Sequence, residues 1–211
     1  MPCCAADDHR ESVADGELAA VVTYLEMHSP PEQEVPSSDL ALHRIEVPQP
    51  QRYRELFRLI GAPWLWFSRL ILDDAHLAEI IQHPKVELYS VLGQGGREVG
   101  MLELDFRGPH DCELAFIGLI PELSGKGHGR WLLAAAVRRA WREGVDRVHV
   151  HTCSLDHPAA LSAYRRAGFT AYKRAIERFP DPRLLGILPR ESAPQIPLVG
   201  TLASAPRRPE S

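Results

Sequence analysis

Two periods of hydrophobic and polar positions run along this chain. Residues 21–27 are rich in β-branched and aromatic side chains ahead of the Pro30-Pro31 break and predict a strand; residues 41–47 predict a second. Beyond Pro48 and Pro50, the residues Tyr53, Leu56, Phe57 and Ile60 recur at helical spacing and stop at Gly61. Leu77, Ile80 and Ile81 predict another helix after Asp73-Asp74, and the aromatic stretch Trp64-Leu65-Trp66-Phe67 lies between the two. Three strands follow at 86–92, 99–106 and 112–119, joined by Gly93-Gln94-Gly95-Gly96 and Gly108-Pro109-His110-Asp111, turns short enough for an antiparallel meander. A helix over 128–143, with Leu133, Ala136, Val137 and Ala140 on its apolar face, is expected to end at Gly144. Residues 145–153 predict a strand, 157–167 a helix and 169–179 a last strand. These alternating elements make the expected fold class α/β (α+β): a mixed, mainly antiparallel sheet with helices on both faces and some parallel pairing across the late crossovers.

The ends of the chain break this pattern. Residues 1–19 are acidic and small and predict a flexible arm, while residues 180–211 hold seven of the 18 prolines, with Arg207 and Arg208 near the close, and predict an extended tail kept out of the core. One domain over residues 20–179 remains, and a chain of 211 residues suits it. With 24 basic against 28 acidic residues the net charge is -4, so no global field attracts nucleic acid or an anionic membrane; neither is an expected partner. Four cysteines, Cys3, Cys4, Cys112 and Cys153, are too few for a disulfide scaffold. The apolar runs fall far short of the roughly 20 residues that span a bilayer, and acidic residues stand where a signal peptide would be apolar, so the expected location is the cytoplasm.

An anionic ligand must then be held locally. Residues 119–130 read as a strand end, a glycine-rich turn and a helix start, with Ser124-Gly125-Lys126-Gly127-His128-Gly129-Arg130 at the turn. Alternate glycines bare backbone N–H groups, the helix N-terminus adds partial positive charge, and Lys126 and Arg130 add two full ones, which is chemistry for a phosphate or pyrophosphate. Arg130-Trp131 follows Gly129 where a P-loop needs Lys-Ser/Thr. A dinucleotide-binding loop would need a third glycine at 130 and a strand that opens a βαβ unit, and both are missing.

In these residues the chain resembles the GNAT superfamily of N-acetyltransferases. Ser124-Gly125-Lys126-Gly127-His128-Gly129 is similar to its Arg/Gln-x-x-Gly-x-Gly/Ala motif, with Ser124 in place of the basic or amide residue, and Tyr164-Arg165-Arg166-Ala167-Gly168-Phe169 is similar to its Tyr-x-x-x-Gly-Phe ending. His157 stands where Asn is commoner. The resemblance implies acetyl-coenzyme A as acetyl donor and a V-shaped splay between the strand ending near Leu119 and the strand at 145–153. It also implies that the backbone of Phe116, Ile117, Gly118 and Leu119 bonds the pantetheine arm, with an N–H near Ile117 or Leu119 meeting the acetyl oxygen and Gly118 easing a bulge. Ser124 to Arg130 and His157 would hold the rest of the cofactor. Tyr164 is implied as general acid toward the departing thiolate and Glu113 as general base toward a primary amine.

Strand alternation puts Glu113, Ala115 and Ile117 on one face and Leu114, Phe116 and Gly118 on the other. Glu103, one strand earlier, is the second candidate for the base and is placed beside the substrate. Trp64, Trp66 and Phe67 are placed to floor an acceptor pocket, or equally to pack the core, as is Tyr24, and they favour a small or partly apolar amine over a polycation; a peptide amine stays open. His149, His151 and Cys153 share a strand face, but residues two apart on a strand diverge, so no metal is expected. Homodimers are common among similar proteins. A non-catalytic acyl-coenzyme A sensor with the same fold is the alternative function, and a dinucleotide-binding oxidoreductase a more distant one.

Overall fold

The computed structural model describes residues 11–32 and 34–200. Readings placed on residues 1–10 and 201–211, including those for Cys3, Cys4, Arg207 and Arg208, lie outside the described residues. Among the described residues, seven strands and four α-helices follow the expected order: β1 (Glu17–Met27), β2 (Ala41–Arg44), α1 (Pro50–Gly61), α2 (Asp74–Ile81), β3 (Val86–Leu92), β4 (Glu98–Asp105), β5 (Asp111–Leu119), α3 (His128–Ala140), β6 (Arg147–Cys153), α4 (Ala160–Arg166) and β7 (Thr170–Pro180). The strands form one sheet in the order β2-β3-β4-β5-β6-β1-β7. Every neighbour pair is antiparallel except β5 and β6, so the fold is the mixed, mainly antiparallel one expected.

The parallel pair is short. Only Asp111, Cys112 and Glu113 of β5 pair with Arg147, Val148 and His149 of β6; past Glu113 the two strands part and leave a V-shaped gap. Helix α1 buries Tyr53, Leu56, Phe57 and Ile60 against β4 and β5, and α3 buries Leu132, Leu133, Ala136, Val137 and Ala140. The alternation of buried Leu88, Met101, Leu102, Leu104 and Leu114 with these helix faces makes one continuous core.

Several boundaries differ from expectation. Helix α3 ends three residues early because Trp141 turns into extended backbone (φ -80, ψ 112), which packs its ring on the core and lets its Nε1 donate to Met27 Sδ at 3.4 Å. Residues 17–19, read as part of a loose arm, are strand, because Leu18, Ala20 and Val22 alternate inward. This first strand lies between β6 and β7, pairing Tyr24 with His151 on one side and with Lys173 on the other.

The proline-rich segment after β7 is also corrected. Leu188 and Ala193 bury themselves against Leu65, forming a second small core under the loop after α1. Arg183 organises the turn: its Nη2 lies 2.7 Å from Asp181 Oδ2, and its Nη1 donates to the carbonyls of Ser192, Ala193 and Ile196. Both side chains are 2% exposed, so the pair satisfies itself inside a segment whose prolines remove backbone donors. Gln195 Nε2 then donates to Pro63 O at 2.8 Å, tying residues 181–196 to the loop after α1.

Candidate active site

A cleft of about 1360 Å³ runs through the gap between β5 and β6 and is lined from both faces of the sheet. On one side stands the start of α3. Gly125 and Gly127 adopt φ of 76° and 84°, values that favour glycine, and a Cβ on Gly125, Gly127 or Gly129 would meet nothing within 4 Å. Open space therefore borders these glycines, as a pyrophosphate cradle requires; Arg130 N–H already donates to Gly127 O at 3.1 Å, so the amides of His128 and Gly129 are the ones that precede the first internal bond of α3. Ser124, Gly125, Gly127, Gly129 and Arg130 line the cleft. Lys126 and His128 do not: His128 Nδ1 instead faces Ser38 Oγ at 3.4 Å and Asp39 at 3.6 Å, across the loop before β2. Arg138 and Arg166, which no motif marked, add guanidinium groups to the lining.

Phe116, Ile117, Gly118 and Leu119 line the gap itself. Ile120 N–H donates to Val99 O on the β4 side, so alternation turns the N–H groups of Leu119 and Ile117 away from β4, into the gap. The bulge is at Ala115, not Gly118: Glu103 opposes Phe116 while Leu104 opposes Leu114, leaving Ala115 without a partner. This resets the alternation, so Glu113 shares a face with Phe116 and Gly118 rather than with Ala115 and Ile117. Gly118 has a different use. A Cβ there would lie 2.6 Å from Ile60 Cγ2 and 3.3 Å from the Trp66 ring, so glycine is what allows α1 and Trp66 to close on the strand.

Trp64 and Trp66 both line the cleft. Trp66 packs at a tilt against Phe116 (ring centroids 5.3 Å apart, planes at 57°), and its Nε1 donates to Asp156 Oδ1 at 3.0 Å, bridging from β5 to the loop after β6. Trp64 meets the ring of His157 edge-on at 5.0 Å, and His157 Nδ1 accepts the N–H of Ala159. His157 thus lines the cleft while its Nδ1 is spent on the backbone ahead of α4.

Glu103 does not reach the cleft. It is 0% exposed beneath α1, where Tyr53 donates its hydroxyl to Oε2 at 2.5 Å and Arg69 Nη2 lies 2.7 Å from Oε1. Burial, then the Glu103 carboxylate, pushes the Tyr53 phenol well above its ordinary range. The expectation that Glu103 sits beside the substrate is corrected: α1 covers it. Arg69 does reach the lining, with its guanidinium over the Phe116 ring, 5.2 Å from the centroid.

Glu113 and Tyr164 both line the cleft. Tyr164, on α4, is 9% exposed and packs edge-on against Phe169. Burial and then the nearby Asp156 push its phenol up, so the hydroxyl holds its proton at neutral pH. Glu113 sits at the last residue of the parallel pairing, and its Oε1 lies 3.3 Å from Nδ1 of His151. The contact with His151 lowers the Glu113 carboxyl below its ordinary 4.5, and the contact with Glu113 raises the imidazole above its ordinary 6.5. His149, further into the fork, is lowered by burial and is absent from the lining. Cys153 also lines the cleft; burial pushes its thiol up to about 11.

The sheet thus forks beside a glycine-lined helix start, and a protonated phenol and a carboxylate line the same cleft. The chain belongs to the acetyltransferase (GNAT) family, whose model matches residues 53–169, more than half of its length. The fold is similar to that of a GCN5-related N-acetyltransferase from Sphaerobacter thermophilus, at 19% identity and a TM-score of 0.53, covering 79% of this chain and 52% of that one. It is similar to an aminoglycoside acetyltransferase from an uncultured soil metagenomic sample, at 19% identity and a TM-score of 0.52, covering 66% of this chain and 93% of that one. A functionally unknown conserved protein from Staphylococcus epidermidis has 14% identity and a TM-score of 0.52, and this chain spans 63% of its length and is itself covered to 79%. At these identities the likeness is one of fold. No curated protein sequence matches the chain. Among the described residues no helix is long and apolar enough to cross a membrane.

Proposed function

We propose that this protein is an N-acetyltransferase that moves an acetyl group from acetyl-coenzyme A to a primary amine by direct attack on the thioester. The observation that carries the reading is the cleft itself, which joins the glycine cradle of α3 to Tyr164 and Glu113 through the gap where β5 and β6 part. The residues present fit the donor. Amides at Gly125, Gly127 and Gly129, with Arg130, suit a pyrophosphate, and the outward N–H groups of Ile117 and Leu119 suit a pantetheine arm. When bound, acetyl-coenzyme A supplies an activated acyl carbon with a thiolate leaving group.

The chain's own groups divide the remaining work. Tyr164 holds a proton for the sulfur, the Glu113–His151 pair provides a base for the amine, and Trp66 and Phe116 wall the acceptor space and exclude water. Cys153 supports direct attack over an acyl-enzyme route, since a thiol with a pKa near 11 is a poor nucleophile at neutral pH. The aromatic walls favour a small or partly apolar amine in an intracellular, soluble setting.

Isothermal calorimetry with coenzyme A, followed by an acetyl-transfer assay over a panel of phenethylamine, spermidine, an aminoglycoside and a lysine peptide, tests this reading. Heat on binding with turnover of at least one amine is expected. Binding without turnover would instead favour the acyl-coenzyme A sensor, and no binding at all would overturn both.

A further inference from the structure

The two strands of the fork place a second titratable group, an imidazole on β6, beside the carboxylate of β5. Glu113 is the last β5 residue paired with β6, opposite His149, and His151 stands one alternation further along β6 on the same face. It is therefore the first side chain of that face beyond the point where the strands part. Its ring is half-exposed and lines the cleft. Nδ1 is occupied by Glu113, which leaves Nε2 for the open space; among the described residues Nε2 has no protein partner. Tyr164 enters the same cleft from α4, on the helix-covered side of β6. A proton acceptor and a proton donor thus flank one gap.

We propose that His151 is the group that takes the proton from the acceptor nitrogen, and that Glu113 is a positioning residue that holds the His151 ring through Nδ1. The proposal rests on the N-acetyltransferase reading and assigns its base. In the step, the nitrogen lone pair forms the N–C bond as the C–S bond breaks. The nitrogen gives its proton to His151 Nε2, the electron pair of the broken bond leaves on sulfur, and Tyr164 protonates that sulfur. Imidazolium and tyrosinate then exchange protons with solvent, restoring both groups.

Neighbouring charges leave this role open to His151. Glu113 faces it from β5, Asp156 from the loop after β6 and Glu177 from β7, and all three favour the imidazolium; His149 on its own strand opposes it. From β1, Tyr24 packs on the ring at 5.9 Å, and Lys173 of β7 lies over the far side of Tyr24 at 5.0 Å. An imidazole raised above 6.5 is a stronger base than an unassisted one, whereas a carboxylate held below 4.5 is a weaker base than free glutamate.

Two measurements test the assignment. The first needs no substrate: a proton–carbon NMR titration should find the His151 ring titrating above 6.5 in the wild type and at lower pH in Glu113→Gln. A His151 titration unmoved by Glu113→Gln overturns the dyad. The second is the pH profile of kcat with the fastest amine of the panel above. Wild-type kcat should rise with pH through the His151 titration. His151→Gln should lose that limb and about 100-fold in kcat. Glu113→Gln should keep most of its kcat at high pH while the limb moves to lower pH. A variant order in which Glu113→Gln is inactive and His151→Gln keeps the wild-type limb would overturn the proposal and return the base to Glu113. Absence of turnover with every amine is a different result, since it removes the transferase reading while the NMR titration still reports on the pair.

Discussion

Glu103 and Glu113 occupy adjacent strands, point to the same face of the sheet, and each meets a basic side chain. Their surroundings separate them. Glu103 lies under α1, fully buried, with Tyr53 and Arg69 consuming both of its oxygens. Glu113 lies past the reach of α1, where β5 loses its neighbour, and shares a half-exposed contact with His151. Residue type does not decide which carboxylate is sealed in the core and which borders the cleft. Cover does: a helix closes over one, and a forked sheet leaves the other beside open space.

The contrast can be broken most forcefully at Glu103. Replacing it with Gln removes the buried carboxylate that Arg69 and Tyr53 share beneath α1 and should cost roughly 3–5 kcal/mol, measured by urea unfolding. The mirror substitution at the fork, Glu113→Gln, should cost less than about 1 kcal/mol, and equal losses at the two sites would refute the distinction.

Chemistry gives the next largest effect. Tyr164→Phe should lower kcat about 100-fold, near 2.7 kcal/mol of barrier, with acetyl-coenzyme A affinity unchanged by calorimetry. Next comes Gly127→Ala, which forces a Cβ onto a residue with φ of 84° and should weaken coenzyme A binding about tenfold while leaving the acid and base in place.

The smallest effect is the most diagnostic of the fork. The stabilising contribution of His151 is full below 6.5 and fades as pH rises through its raised value; that of Glu113 is full above 4.5 and fades as pH falls through its lowered value. The stability difference between wild type and Glu113→Gln should therefore peak between pH 4.5 and 6.5. A difference that grows steadily to pH 9 would mean that the two side chains do not interact.

Local period made α1, α2, the meander and the glycine turn legible, because each rests on contacts within a few residues. Tyr164 was legible through the motif that ends at Phe169. The bulge at Ala115 was not, since alanine carries no turn signal and the extra residue becomes visible only against the partner strand. His151 carried half a signal: its shared face with His149 and Cys153 is readable, but the carboxylate that gives it a role lies on another strand. The segment over 181–196 misled through its prolines, whose composition says nothing of the Arg183 side chain that gathers three carbonyls around itself.

The position of β1 has a consequence for how the molecule is made. During synthesis this strand leaves the ribosome more than a hundred residues ahead of both β6 and β7, the two strands it must join. It has to wait with its edges unpaired until they arrive. Its docking closes the longest loop in the sheet, so a strand made early is among the last to be placed, and deleting it would detach β7 from the rest of the sheet.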